Sequence, residues 1–368
     1  MIAFIIASLS VLLLIGARTG ILAVCLTMAF VIKNRIYRTF CFSAGITLVI
    51  LFSFIKFDSS QGRAFIISTT FDMFDSAPNT LLGRGNNSFQ QDYMMYQARA
   101  LKHQDKKATL LADNIKHPLN EFLLLAVEYG IIRVLLLLGV ISYYFKKDKL
   151  SLEQKVLACI LCIFSLFSYP FKYPLACIIL CWILYSKEKK DNITNKARTG
   201  YIYGIIGSIT LINAIFNFTL NRKWAQAYEF RKAGQIEESL NTYAFVTKFC
   251  NSPEFLYNYA YILSISGKEH EGLQTICKSK SHDYETTLLK AQLYHENHSY
   301  KESISQYRQA HEMCPVRFRP LYGIYKVYED MNDNRNKEFI AKEILCKDIK
   351  IPSKEINEIK AEVKASYK

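Results

Sequence analysis

The chain has 368 residues, enough for more than one ordinary folding domain. Hydrophobic residues make up 51% of it and charged residues 21%, which is too apolar for a disordered protein. Most aliphatic residues precede residue 220 and most polar residues follow it, so the composition excludes a single soluble enzyme. The net charge of +14 would by itself suggest a nucleic-acid partner.

The positions of the basic residues argue against nucleic acid. Eleven of them lie in three short connectors between apolar stretches and are opposed by only three carboxylates, whereas the connector 58–121 has seven of each sign. In membrane proteins an excess of Lys and Arg marks the connectors on the cytoplasmic side. The pattern therefore predicts a cytoplasmic amino terminus and places the loop 58–121 and everything after residue 220 on the outer side of the membrane.

Seven apolar stretches predict membrane-spanning helices, because several approach the roughly 20 residues that a bilayer requires. They are 2–17, 19–32, 39–57, 122–145, 155–169, 171–186 and 201–220. We therefore expect an all-α protein in which residues 1–220 form a polytopic transmembrane bundle of about seven spans. The first stretch begins at Met1 without flanking polar residues, which suggests that preceding helices are missing, either by truncation or because the start was assigned too late.

A repeat typical of helical hairpins begins near residue 222. Aligning Ala227, Ala260 and Ala291 puts three pairs of helices at spacings of 33 and 31 residues. Small residues at these positions let two helices approach, and aromatic residues fill the groove between neighbouring hairpins. The sequence predicts a tetratricopeptide-like (TPR-like) solenoid over 221–350 and a polar carboxy-terminal tail over 351–368, in preference to a helical domain without repeats.

Arginine and glycine residues lie at the ends of the apolar stretches and in the long connector 58–121. Arg18 separates the first two stretches, Arg63 opens the long connector, and Gly83-Arg84-Gly85 follows it. A guanidinium presents a fixed fork of donors to phosphate, although an arginine at a membrane edge can simply reach the headgroups. A Gly-x-Gly usually marks a turn, and this one lacks the preceding strand of a dinucleotide site.

A polar segment from His117 to Glu121 precedes the apolar stretch 122–145. Asn120 is a candidate N-cap. If the segment is helical, His117 and Glu121 share a face, but Pro118 could equally start the helix and leave His117 outside it.

The ten cysteines predict neither a disulfide framework nor a metal site. Cys159 and Cys162 share a helical face without His or carboxylate neighbours, a pattern that favours apolar packing. We expect no metal and no cofactor.

In this order, the motifs resemble the O-antigen ligase and O-antigen polymerase family of membrane glycosyltransferases. The resemblance covers about residues 10–186, and its motifs are Arg-Thr-Gly at Arg18, Gly-Arg at Arg63, Gly-x-Gly at Gly83, Asn-Glu-Phe-Leu at Asn120, Glu-x-Gly at Glu128 and a Tyr-Pro hairpin at Tyr169. A periplasmic TPR tail also looks like one branch of the family, which implies that the membrane is the bacterial inner membrane and that the loop 58–121 and the TPR region are periplasmic. The chain departs from the family in two ways. The family usually has several more helices before the Arg motif, and it commonly has a His at the position of Leu119.

The resemblance implies the transfer of a glycan from a polyprenyl diphosphate to an acceptor hydroxyl, usually on a lipid A core sugar. Positive donors would stabilise the departing diphosphate, and a general base would take the hydroxyl proton. His117 or Glu121 would be that base. The residues expected to bind the diphosphate and the glycan are Arg18, Arg63, Gly83, Arg84, Gly85 and Asn120.

Other functions are compatible with the same sequence. A member of this family could polymerise polysaccharide or glycosylate protein, and a chain that has lost catalysis could be a membrane-anchored TPR scaffold. The short amino terminus favours the scaffold, whereas the retained Arg, Gly and Glu positions favour the enzyme. Expected partners are the lipid-linked glycan, a glycan acceptor, membrane lipids and a protein at the TPR surface, with no nucleic acid.

Overall fold

A computed structural model describes residues 18–32, 34–55, 57–102, 106–146, 150–184 and 196–366. These parts of the chain fold as helices and contain no β-strand. The all-α prediction is therefore confirmed for them. The chain divides into two compact units. The first unit comprises Met1–Tyr96 and Ile115–Lys187, and the second comprises Gln97–Asn114 and Glu188–Lys368.

The helices are numbered in chain order. Up to residue 184 they are α1 (Arg18–Val31), α2 (Arg35–Ile55), α3 (Phe57–Phe71), α4 (Ala77–Leu82), α5 (Ser88–Leu101), α6 (Lys106–Leu111), α7 (Glu121–Tyr129), α8 (Ile131–Lys146), α9 (Leu152–Phe167), a 3-10 turn (Pro170–Lys172) and α10 (Pro174–Leu184). The later ones are α11 (Lys196–Lys232), α12 (Ile236–Val246), α13 (Pro253–Ile265), α14 (Glu269–Cys277), α15 (Tyr284–Glu296), α16 (Tyr300–Met313), α17 (Arg319–Asp330), α18 (Asn334–Cys346) and α19 (Lys354–Ser366).

The predicted transmembrane bundle is not supported. Among the helices that the structure describes, none is both long enough and apolar enough to cross a membrane. This finding contradicts the polytopic bundle of about seven spans over 1–220, and with it the multi-pass inner-membrane location and the periplasmic assignments that depended on the spans. The stretch 2–17 lies outside the described residues.

Chain breaks inside the apolar stretches account for part of this correction. The stretch 122–145 is interrupted at Gly130, whose φ of 86° ends α7 before α8 begins. The stretches 155–169 and 171–186 correspond to α9 and α10, which have 16 and 11 residues. At 1.5 Å per residue, a helix of 16 residues extends about 24 Å, less than the roughly 30 Å of a hydrocarbon core.

The second unit repeats one contact between the two helices of a hairpin. Ala227 and Ala291 are fully buried, and their carbonyl oxygens accept hydrogen bonds of 2.8 Å from the hydroxyls of Ser239 and Ser303. In both copies the donor follows the alanine by 12 residues. In the middle copy that position is Gly272, where an added Cβ would lie 3.1 Å from the carbonyl oxygen of Ala260. All three aligned alanines thus mark a close approach of two helices.

Aromatic side chains and the last helix complete the core of the second unit. Phe255 packs edge-on against Trp224 and tilted against Tyr243, with ring centroids 5.6 and 5.7 Å apart. The segment predicted as a polar tail consists largely of α19, whose Ile359 and Val363 are buried in the same cluster as α17 and α18. This helix therefore contributes to the core.

The tight packing of Gly323 gives a test of this hairpin arrangement. A Cβ added to Gly323 of α17 would lie 2.3 Å from the ring of Tyr307, so Gly323→Ala should destabilise the second unit by about 1–3 kcal/mol. The measurement is urea unfolding followed by Trp224 fluorescence in a Trp182→Phe background.

Gly207 of α11 is the matched control, because no atom lies within 4 Å of its added Cβ. Gly207→Ala should stabilise the chain by roughly 0.5–1 kcal/mol through helix propensity. Equal effects of the two substitutions would contradict the close packing of Gly323 on Tyr307.

Candidate functional site

Helix α7 begins at the residue that the sequence analysis proposed as a base. Asn120 is its N-cap and accepts a hydrogen bond of 2.9 Å from the backbone N–H of Leu123. Leu119, with a φ of 56°, turns the chain just before the cap, and Glu121 is the first helical residue. His117 therefore lies outside the helix and does not share a helical face with Glu121.

The turn 167–171, after α9, contacts three of the predicted site residues. A guanidinium nitrogen of Arg63 donates to the carbonyl oxygen of Phe167 at 3.1 Å. The ring of His117 stacks on Tyr169 with centroids 5.0 Å apart, and the N–H of Phe171 donates to Oε1 of Glu121 at 3.3 Å. One short segment thus contacts the cation of Arg63 and, from a distant part of the sequence, the imidazole of His117 and the carboxyl group of Glu121.

Lys172 adds a second cation beside this turn. Its ammonium nitrogen lies 5.7 Å from the centroid of the Tyr169 ring, within the range of a cation–π interaction. The Tyr169 ring thus contacts an imidazole and an ammonium group. The turn is surrounded by groups suited to an anion and to proton transfer.

Glu121 is largely buried. Its side chain is 8% exposed, and burial raises its pKa, partly opposed by the hydrogen bond from Phe171. A carboxylate with a raised pKa is a better proton acceptor than an exposed one. This makes Glu121 a candidate general base.

An apolar cavity of about 340 Å³ lies next to Glu121. Phe122, Leu125 and Phe171 line it together with aliphatic residues of α8, α9 and α10. Glu121 contributes the one carboxyl group among the described residues that line this cavity. The site therefore combines an ionisable group with room for an apolar part of a ligand.

The glycines of the Gly83-Arg84-Gly85 loop allow a direct contact between two backbones. The N–H groups of Arg84 and Gly85 donate to the carbonyl oxygens of Val127 and Glu128, both at 2.9 Å. A Cβ on Gly83 would lie 2.4 Å from the Glu128 carbonyl oxygen. We call the contact of 83–85 with 127–130 the glycine contact.

Gly130 and Arg133 reinforce the glycine contact from the side of α7 and α8. A Cβ on Gly130 would lie 2.2 Å from the carbonyl oxygen of Leu81, so neither glycine can be replaced without moving backbone. Arg133 donates from one nitrogen to the carbonyl oxygens of Leu82 and Tyr129, at 3.0 and 2.8 Å. The loop is thereby fixed to the end of α7.

Glu128, which the sequence analysis did not include among the site residues, is the second buried carboxyl of α7. It is 8% exposed and accepts a hydrogen bond from the N–H of Asn87 in the same loop. Burial raises its pKa to about 7, and the charge of Glu121 adds to the shift while Asn87 opposes it. The seven-residue spacing from Glu121, two turns of one helix face, is the sequence signal that could have identified it.

Arg84 is engaged by the protein itself. Its two terminal nitrogens lie 3.0 Å from Asp75 and 3.2 Å from Asp92, and its guanidinium lies 5.4 Å from the ring of Tyr96. The hydroxyl of Tyr96 donates to Asp75 at 2.6 Å. The pKa of Asp75 is lowered to about 2 by its hydrogen bonds from Tyr96 and Asn79 and by the charge of Arg84. This arrangement favours a structural role for Arg84 over diphosphate binding.

The remaining predicted site residues are placed as follows. Arg18 is the first residue of α1, and its side chain lies outside the described part of the structure. Gly83 and Gly85 belong to the loop whose backbone contacts the end of α7. Asn120 caps the start of α7. Within the described residues, no group of three or more His, Cys, Asp or Glu side chains is placed to hold a metal ion.

Comparisons with known proteins do not assign the chain to a family. No protein-family model matches it, and no curated protein matches it. The function is therefore argued from the geometry of the site.

Two glycines of the loop allow a matched test of the glycine contact. Gly83→Ala should destabilise the first unit by about 3 kcal/mol, because its Cβ meets the Glu128 backbone and its φ of 88° is unfavourable for alanine. Gly85→Ala should cost only about 1–2 kcal/mol, because its φ is also positive but no atom lies within 4 Å of its Cβ. Urea unfolding followed by Trp182 fluorescence in a Trp224→Phe background measures both, and the reverse ranking would contradict the contact.

Glu128 should make the stability of the first unit depend on pH. Its folded-state pKa of about 7 lies above the ordinary 4.5, so the stabilisation is complete below pH 4.5 and is lost as the pH rises through 7. Glu128→Gln should therefore match the unsubstituted chain at pH 4 and exceed its free energy of unfolding at pH 8 by about 3 kcal/mol.

The same Trp182 assay at several pH values measures this difference. An effect of Glu128→Gln that is the same at pH 4 and pH 8 would show that the fold does not raise the pKa of Glu128, contrary to the burial of this side chain.

Proposed function

We propose that the first unit catalyses the transfer of a glycan from a polyprenyl diphosphate to an acceptor hydroxyl, as the resemblance to O-antigen ligases implies. The observation that carries the proposal is the contact of Arg63, His117 and Glu121 with the single turn 167–171. The reaction needs positive charge near the departing diphosphate and a base near the attacking hydroxyl. Both kinds of group are present at this turn.

Arg63 and Lys172 are the proposed contacts of the diphosphate. As the bond between the anomeric carbon and the diphosphate oxygen breaks, negative charge builds on that oxygen, and nearby cations lower the barrier. The proposal assigns Arg84 to positioning the loop, because Asp75 and Asp92 already occupy its terminal nitrogens.

Glu121 is the proposed base. The acceptor hydroxyl loses its proton to the carboxylate while its oxygen forms the new bond to the anomeric carbon. His117, stacked on Tyr169, is proposed to orient the glycan. The apolar cavity beside Glu121 is suited to the first isoprene units of the carrier.

Replacement of Glu121 and His117 tests this assignment. In a strain that lacks the chromosomal copy, Glu121→Gln should reduce the surface glycan that is linked to its acceptor by about 100-fold or more, the usual contribution of a general base. His117→Gln should reduce it by only about tenfold, because orientation is lost while the base remains. Gel analysis of the surface polysaccharide measures both, with immunoblots to equalise protein amounts.

Glu153→Gln is the matched control, because Glu153 is an exposed carboxylate at the start of α9 that has no assigned role. Its glycan level should equal that of the unsubstituted chain. A larger defect for His117→Gln would move the base to His117. Normal glycan in both variants would reject catalysis at this turn and favour the non-catalytic scaffold.

A further inference from the structure

The second unit contains a cavity of about 370 Å³ at its carboxy-terminal end, apart from the site proposed for catalysis. It lies between the segment that leads into α17 and the segment that leads into α19. Its apolar lining includes Phe318, Ile356 and Ile359, and Ile351, which is 69% exposed, adds an apolar wall. Such a floor can accept an aliphatic side chain.

Charged side chains surround this apolar floor. Arg317 pairs with Asp113 at 2.6 Å, and Arg319 pairs with Glu355. Lys350 also lines the cavity, and its positive charge acts on Asp113, the carboxylate that already pairs with Arg317. The three cations exceed the two carboxylates by one positive charge. The lining therefore attracts an anion through its net positive charge.

The starts of two helices add to this positive potential. Arg319 is the first residue of α17, and Ser353, the residue before α19, accepts a hydrogen bond from the N–H of Ile356 at 3.3 Å. Both Arg319 and Ser353 line the cavity. Because the amino-terminal end of a helix carries partial positive charge, both helices favour an anion here.

We propose that this cavity binds a protein partner through a peptide segment in which an apolar side chain lies next to a carboxylate. The apolar side chain contacts Ile351 and Ile356, and the carboxylate pairs with Lys350. A peptide fits the lining better than an acidic sugar does. The floor is aliphatic, and the ring of Phe318, which is 3% exposed, offers no free aromatic face for a sugar to stack on.

A pair of isosteric peptides tests the proposal on the full chain. The probe is a fluorescein-labelled peptide with blocked ends and the sequence Gly-Ser-Leu-Asp-Ser-Gly, and its partner has Asn in place of Asp. Fluorescence anisotropy should give a Kd that is about tenfold higher for the Asn peptide, because the charge-assisted contact is lost. Lys350→Gln should weaken binding of the Asp peptide by a similar factor.

Two further variants separate the apolar and charged contributions. Ile351→Ser should weaken binding of both peptides, and its exposed position leaves the fold intact. Lys354→Gln is the matched control, because the Lys354 side chain is 91% exposed and does not line the cavity. It should leave both Kd values unchanged.

Three outcomes would overturn the proposal. They are the absence of binding by the Asp peptide, equal Kd values for the two peptides, and an unchanged Kd in Lys350→Gln. Glucuronic acid and the unlabelled Asp peptide can each be tested as competitors of the labelled peptide. If glucuronic acid displaces it at the same concentration as the unlabelled peptide does, the occupant is an acidic sugar. None of these results depends on glycan transfer by the first unit, so the two proposals fail or stand separately.

Discussion

The site in the first unit depends on one backbone contact, between the Gly83-Arg84-Gly85 loop and the end of α7. Two N–H groups of the loop satisfy the carbonyl oxygens of Val127 and Glu128, which the last turn of a helix otherwise leaves without partners. The distance is short enough that only glycine fits at positions 83 and 130. The same loop supplies the N–H of Asn87 to the carboxylate of Glu128.

Fixing α7 in this way also fixes the proposed base. Glu121 lies at the other end of the same short helix, where Asn120 caps the first turn and the turn 167–171 supplies one hydrogen bond to the carboxyl group. Burial then raises the pKa of both carboxyl groups. Rigid backbone contacts are suited to such a site because they hold two carboxyl groups with raised pKa values out of water without requiring a flexible loop.

The sequence predicted local features better than distant contacts. Asn120 as a cap and the alanines of the repeat follow from short-range chemistry, and both are present in the structure. The contact of Arg63 with Phe167 joins residues 104 positions apart, which no local pattern can indicate. The spans predicted over the described residues were wrong because hydropathy counts apolar residues and does not register a helix break such as Gly130.

Hydrogen exchange at two backbone amides tests the glycine contact most directly. If Arg84 and Gly85 donate to Val127 and Glu128, their amide hydrogens should exchange at least about 100-fold more slowly than those of an open loop, and this protection should disappear in Gly83→Ala. Exchange of both amides at the rate of an unstructured loop in the unsubstituted chain would contradict the account.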